Sequence, residues 1–432
     1  MATQFHRTVS SAGSDYKATF SAWVKRATPG VENFLLYAYY NSSNNHRLNF
    51  LNSDELHINI ITSASNSATI TTNRKFRDPN AWYHIVVAWD STQSTASDRI
   101  KIYVNGVQET SFSTSNYPSQ NADMFFNKNT NGLYLGGQDG SNHFQGVMSH
   151  VHYVDGTAYS ASTFGSTDST TGEWKINTSP SVTYGTNGWL VFEDGNTYTD
   201  QSSNSNNLTL TGTAPTKTED NPSNVFATLN PLLGPRYSTQ TFSNGNTTVA
   251  GGSGHEMHMS TLAIPNSGKY YYEAKLDAIG NYPIIGVVEA KNVITNNKDI
   301  NTYGYGYFFN GNIVKLGGSP ISPTYSSYTT GDFIGVAVDC DNKEIYFSKN
   351  GTWQNSSDPA NRTNPAITGL LTEDLMLGVN NYGGTWSVNF GNGAFGSTQL
   401  TGTTYQGNGN YGIFKYPVPT GFRALCTKTL NL

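Results

Sequence analysis

At 432 residues the chain is too long for one ordinary core and suits two domains of about 200 residues each. Only 13% of residues are charged, the net charge is −5, and Lys and Arg are nowhere clustered, which excludes the electrostatic footprint of a nucleic-acid binder. No run of about 18 apolar residues occurs, so no membrane span is expected, and the opening Met1 to Arg7 lacks the apolar segment of a secretory signal.

Gly (43), Tyr (27) and Phe (21) are abundant. Tyr, Phe, Thr and Val suit a pleated, half-buried surface, whereas Gly, Asn and Asp supply turns, so the composition predicts an all-β protein. Regular apolar alternation and 13% aromatics argue against disorder. The two cysteines, Cys340 and Cys426, make no disulfide framework. Cys340 alternates with Val336 and Val338 as a buried thiol would, and a reducing cytosol is the expected place of synthesis.

In chain order, Thr19-Phe20-Ser21-Ala22-Trp23-Val24 and Arg47-Leu48-Asn49-Phe50-Leu51 alternate as half-buried strands. Residues 82–89, Trp-Tyr-His-Ile-Val-Val-Ala-Trp, read as a longer strand in a sheet covered on both faces. Residues 99–104 run into Asn105-Gly106, a strong hairpin signal. Strands at 132–137, 146–154 and 188–192 follow. Residues 194–224 form a polar loop with one strand at 208–210. Prolines 222, 231 and 235 place the domain boundary near Leu233, giving domains 1–233 and 234–432. The second half predicts strands at 268–274, 283–288, 305–309, 331–339, 344–351, 375–379 and 386–391, with Asp339 and Asp341 at a hairpin turn. No helical period lasts beyond about two turns.

The Trp23 strand ending in Val24-Lys25-Arg26 carries a resemblance, in order with Trp82-Tyr83-His84-Ile85-Val86, Ile102-Tyr103-Val104-Asn105-Gly106, and Phe144-Gln145-Gly146 before the strand at 151–155. Together they resemble a laminin-G/concanavalin-A-like domain. Gly268-Lys269-Tyr270-Tyr271-Tyr272-Glu273, Gly331-Asp332-Phe333-Ile334-Gly335-Val336, Ile345 to Gly351 and Val388-Asn389-Phe390-Gly391 resemble a SPRY domain. Both resemblances imply antiparallel jelly-roll β-sandwiches in tandem. Arg7 to Gly13, Phe226 to Leu232 and Pro419 to Leu425 further resemble virion proteins of tailed phages, marine cyanobacterial ones especially. That resemblance implies a non-enzymatic fibre, knob or head-decoration protein, located on the virion and made in the host cytoplasm. Its partners would be other virion proteins or a host cell-surface glycan. The alternatives are a free glycan-binding lectin or adhesin and, behind it, a polysaccharide depolymerase.

Sandwich glycosidases carry paired carboxylates flanking the scissile bond. Glu273, Glu289 and Glu344 are isolated, and the Asp339–Asp341 pair reads as turn chemistry. His255 and His258 lack the i, i+4 spacing of a metalloprotease helix, and His150 with His152 reads as polar residues of one strand face with no third ligand. The laminin-G resemblance makes calcium the one metal to consider, with Asp139 as its ligand by position. Aromatic faces beside polar groups bind sugars and proteins. Tyr39 and Tyr40 run toward an Asn-rich loop, and the SPRY resemblance adds the loop candidates Tyr325, Tyr328, Tyr382 and Trp386, the last two at an expected hairpin tip. Trp23, Trp82, Trp89 and Trp189 are assigned to cores. Few charges guard the edge strands, so self-association into a homo-oligomer or docking on a larger assembly is expected.

Overall fold

The computed structural model describes residues 3–430 except 64, 131, 194, 234–239, 253, 293–298, 319, 322–324 and 371–374. Every strand ladder in it is antiparallel, and among the described residues one single-turn α-helix occurs, Ile300–Tyr303. Chain contacts divide the molecule into two units, Met1–Pro215 and Thr216–Leu432. The division falls before the expected boundary at Leu233 because residues 226–229 pack into the second unit. Phe226 pairs with Cys426, Ala227 donates its backbone N–H to the Leu425 carbonyl at 3.0 Å, and Leu229 is fully buried. The segment around 226–227 and the one around 425–426 therefore meet at this buried seam.

In the first unit, eight strands among the described residues form one sheet, in the spatial order Phe112–Asn116, Ser65–Lys75, Glu55–Thr62, Asn44–Phe50, Asn33–Asn41, Gly132–Leu135, Thr3–Thr8 and Thr209–Gly212. The expected strand at 208–210 is the last of these, an edge strand beside the N-terminal one. A second sheet of six strands has Lys17–Arg26 and Trp82–Asp90 at its centre. Alternation decides what lies between the sheets. Leu36, Leu48, Ile58, Ile70, Leu133 and Leu135 from one meet Phe20, Ile85, Val87 and Trp89 from the other. Trp23, Trp82, Trp89 and Trp189 are all buried, as expected.

The outer face of the six-stranded sheet is covered. Residues 159–184, including the hairpin Gly165–Thr167 with Trp174–Ile176, lay Phe164, Trp174 and Tyr184 over Val86 and Val154. This explains why strand Trp82–Asp90 is apolar on both sides. The outer face of the eight-stranded sheet has no such apolar layer among the described residues.

The second unit pairs an eight-stranded sheet, centred on Lys269–Ala278 and Phe333–Asp339, with a five-stranded sheet containing Leu375–Asn381 and Ile284–Glu289. Tyr270, Tyr272, Val336, Val338, Phe347 and Trp386 fill the space between. Its larger sheet is covered on the outside by the C-terminal segment, where Phe414, Phe422, Ala424 and Cys426 pack on Tyr271, Ala337 and Tyr346. Cys340 is buried as expected, and burial pushes its thiol up to about 12. Both cysteines are free.

Candidate functional site

The open face of the first eight-stranded sheet gathers aromatic, cationic and amide side chains. On each strand the core takes alternate residues, so the intervening ones must point outward. With Phe5 inward, His6 is outward; with Leu133 and Leu135 inward, so is Tyr134. By the same rule Leu36 and Ala38 leave Tyr37 and Tyr39, His46 and Leu48 leave Arg47, and Ile58 and Ile60 leave Asn59. Register then aligns one outward residue from each of the eight strands: Thr209, His6, Tyr134, Tyr37, Arg47, Asn59, Thr69 and Asn116. Neighbours in such a row stand about 4.8 Å apart at the backbone.

The middle of the row is aromatic. His6 stacks on Tyr134 at 5.8 Å, Tyr134 lies 6.0 Å from Tyr37, and Tyr37 lies 5.8 Å from Tyr39. His6 and Tyr134 remain half-buried, whereas Tyr37 is nearly enclosed by these neighbours. Polar groups flank the rings. Arg47 donates from Nε to Asn45 Oδ1 at 3.1 Å, Asn59 donates to Thr69 Oγ1 at 3.1 Å, and His57 Nδ1 meets Thr71 Oγ1 at 2.9 Å. Burial, with the Asp139 carboxylate beside it, pushes the Tyr134 phenol up to about 12. Burial and then the Arg47 charge hold the His57 imidazole below its ordinary value.

Two sequence candidates border this face. Tyr39 is half-buried on it, and Asp139 approaches it from a tight turn. Both Asp139 and Gly140 have positive φ, and Gln138 and Ser141 exchange backbone hydrogen bonds at 2.8 and 3.0 Å, as a two-residue turn of this hand requires. Calcium takes about six to eight oxygens. Asp139 brings one carboxylate on an exposed turn, and no group of three or more His, Cys, Asp or Glu among the described residues is arranged for a metal. The site does not fit the ion.

Tyr40 is 45% exposed and stacks on Phe125 at 6.5 Å, at the strand end away from the row. Tyr382 is half-buried beside His255, which also meets Tyr282. Three candidates are corrected outright. Tyr325 packs edge-on against Tyr307 in the core, and the Tyr328 hydroxyl donates to the Pro283 and Tyr307 carbonyls at 2.9 and 2.8 Å. Trp386 is fully buried and donates Nε1–H to the Asn380 carbonyl at 3.0 Å. The turn at Tyr382 and Gly383 is no hairpin tip. It carries the chain from Leu375–Asn381 in one sheet to Gly384–Asn389 in the other, which drives Trp386 between them.

The histidine pairs also resolve. A register shift between Ser149 and His152 breaks the expected shared face, and His152 lies buried beneath Phe164 with Nδ1 against the Tyr184 hydroxyl at 2.9 Å. His258 is buried on strand Glu256–Ala263, not on a helix. Asp339 and Asp341 serve the turn and its surroundings. Asp339 accepts from Asn342 and pairs with Lys269 at 2.9 Å, and Asp341 accepts from the Gly268 N–H.

These features define an all-β protein of two sandwiches. A family model described as the concanavalin A-like lectin/glucanases superfamily matches residues 3–162, and the SPRY domain model matches residues 269–361. The chain thus carries a concanavalin A-like domain followed by a SPRY domain. Among solved structures, the SPRY domain of human HERC1 is 19% identical, with a TM-score of 0.31 over 40% of this chain and 99% of its own. A second human SPRY domain is 15% identical, with a TM-score of 0.28 over 35% and 94% of the respective chains. The heptameric SAP-like pentraxin of Limulus polyphemus is 12% identical, with a TM-score of 0.27 over 37% and 78%. No curated protein matches the chain.

Proposed function

We propose that this protein is a non-enzymatic virion component of a tailed phage, of fibre, knob or head-decoration type, that binds a host-surface glycan through the open face of its first sandwich. The virion part rests on the resemblance of residues 7–13, 226–232 and 419–425 to such proteins. The binding part rests on one observation, the register-aligned row in which His6, Tyr134 and Tyr37 form an aromatic strip flanked by Arg47 and Asn59. The half-buried His6 and Tyr134 rings suit the apolar face of a sugar, and the Arg47 guanidinium beside the strip suits its hydroxyls.

The acidic groups around this face support binding over hydrolysis. Glu32 accepts from Asn49 at 2.9 Å, Glu55 pairs with Lys75 at 2.7 Å, and Asp139 faces Tyr134. Each is engaged separately, whereas glycoside hydrolysis uses two carboxyl groups across one bond.

The test is a glycan array probed with the full chain and with Tyr134→Ala. A defined glycan bound by the parent and lost in the variant is the expected result; equal binding by both would remove the face from consideration. Mass spectrometry of purified particles separates the virion reading from that of a free lectin or adhesin, because only the former requires the chain in every particle.

A further inference from the structure

Arg47 stands out on the open face. It is half-buried at the centre of an eight-stranded sheet, and among the described residues it forms no ion pair. Of its five guanidinium donors the Nε–H is used, on Asn45 Oδ1. Among the described residues neither terminal nitrogen has a hydrogen-bond partner. The charge is felt by its neighbours. Burial raises the Tyr37 phenol, with a hydrogen bond from Gln138 and then the Arg47 charge opposing it, and Arg47 adds to burial in lowering the His57 imidazole. Of the carboxylates near this face, Asp139 acts on Tyr134 and Tyr37, Glu55 pairs with Lys75, Glu32 accepts from Asn49, and none forms an ion pair with Arg47 among the described residues.

A cation with unspent, planar donors thus stands one strand over from Tyr37 in the row. A neutral sugar would satisfy the rings and leave the guanidinium facing no counter-charge. A sugar bearing an oxyanion would stack on the rings and meet Arg47 through two parallel N–H···O bonds, the geometry that suits a planar fork.

Building on the glycan reading above, we infer that the open face selects an anionic sugar, its carboxylate or sulfate ester held by Arg47 while its ring rests on Tyr134.

The experiment measures binding of the full chain to three immobilised polymers: polygalacturonate, its neutral counterpart galactan, and dextran sulfate. Parent, Arg47→Gln and Tyr134→Ala are compared, with thermal melts confirming that each is folded. The inference expects at least one anionic polymer to bind about tenfold or more tightly than galactan, a difference that Arg47→Gln abolishes and added salt weakens. Which anionic polymer responds identifies carboxylate or sulfate as the group recognised. Equal binding of galactan and both anionic polymers, lost in Tyr134→Ala and kept in Arg47→Gln, would overturn the anionic preference and leave the glycan reading intact. An anionic preference that persists in Arg47→Gln would also overturn it. Binding to none of the three by a parent that does bind an array glycan of neutral composition would overturn it too, whereas silence on the array as well would remove the glycan reading itself.

Discussion

The two eight-stranded sheets make an instructive pair. Each turns its apolar residues inward, and each turns tyrosines and charged or amide groups outward. In the second sandwich the outward Tyr271 is fully buried, its hydroxyl donating to Glu273 Oε1 at 3.0 Å and its ring met edge-on by Phe414 at 5.1 Å. In the first, Tyr134 has stacked neighbours on its own sheet and no apolar layer above it among the described residues. Residue type is thus a poor guide to role. What rests on the face decides whether a tyrosine is a structural part or an available surface.

That contrast breaks most visibly at the cover. Phe414 is fully buried on Tyr271, so Phe414→Ala is expected to destabilise the second sandwich by about 3–5 kcal/mol in urea unfolding. A loss below about 1 kcal/mol would mean that the covering segment is not integral to that core.

The next effect comes from Glu273, which anchors the same cover. Its carboxylate is fully buried and accepts the backbone N–H groups of Lys415 and Tyr416, both at 2.9 Å. Burial outweighs these donors and pushes the carboxyl up to about 7. A folded-state value above the unfolded one means that the native chain holds the proton more tightly. Stability from this group is then fully present below about pH 4.5 and is lost as pH rises to about 7, by on the order of 3 kcal/mol. Urea unfolding between pH 4 and pH 8, flattened over that window in Glu273→Gln relative to the parent, is the expected outcome, and parallel profiles would contradict it.

The smallest stability effect is expected on the open face. Tyr134→Ala should shift unfolding free energy by less than about 1 kcal/mol, because its contacts are side by side on one sheet. The same substitution should abolish ligand binding, and a core-sized loss of stability would place Tyr134 with Tyr271 as a structural residue.

Much of the architecture was legible in the strand alternation: two all-β halves, the doubly covered strand at 82–90, the buried Cys340 and the four core tryptophans all read directly from local pattern. The face was only partly legible. Arg47 and Tyr134 each sat within expected strands, and alternation marks them as outward, but their alignment depends on pairings that join residue 6 to 134, 134 to 37 and 6 to 209. No local signal carries such register. The same limit explains Tyr325, Tyr328 and Trp386. Each lies near turns, where exposure is the ordinary expectation, yet Trp386 follows a turn that crosses between sheets, and the hydroxyl of Tyr328 finds carbonyl partners inside the core. The domain boundary moved for a related reason, since Phe226 and Ala227 are held by partners about two hundred positions later.

The row of outward residues takes one member from each of eight strands, and this divides the labour of the sequence in a simple way. Along every strand, odd positions answer to folding and even positions to whatever lands on the surface, or the reverse. A substitution in the row alters one contact point and leaves the backbone, the register and the buried neighbours as they were. Members separated by more than one strand share no direct contact, so their effects should combine almost independently. This surface can therefore be revised one side chain at a time, without reopening the question of how the domain folds.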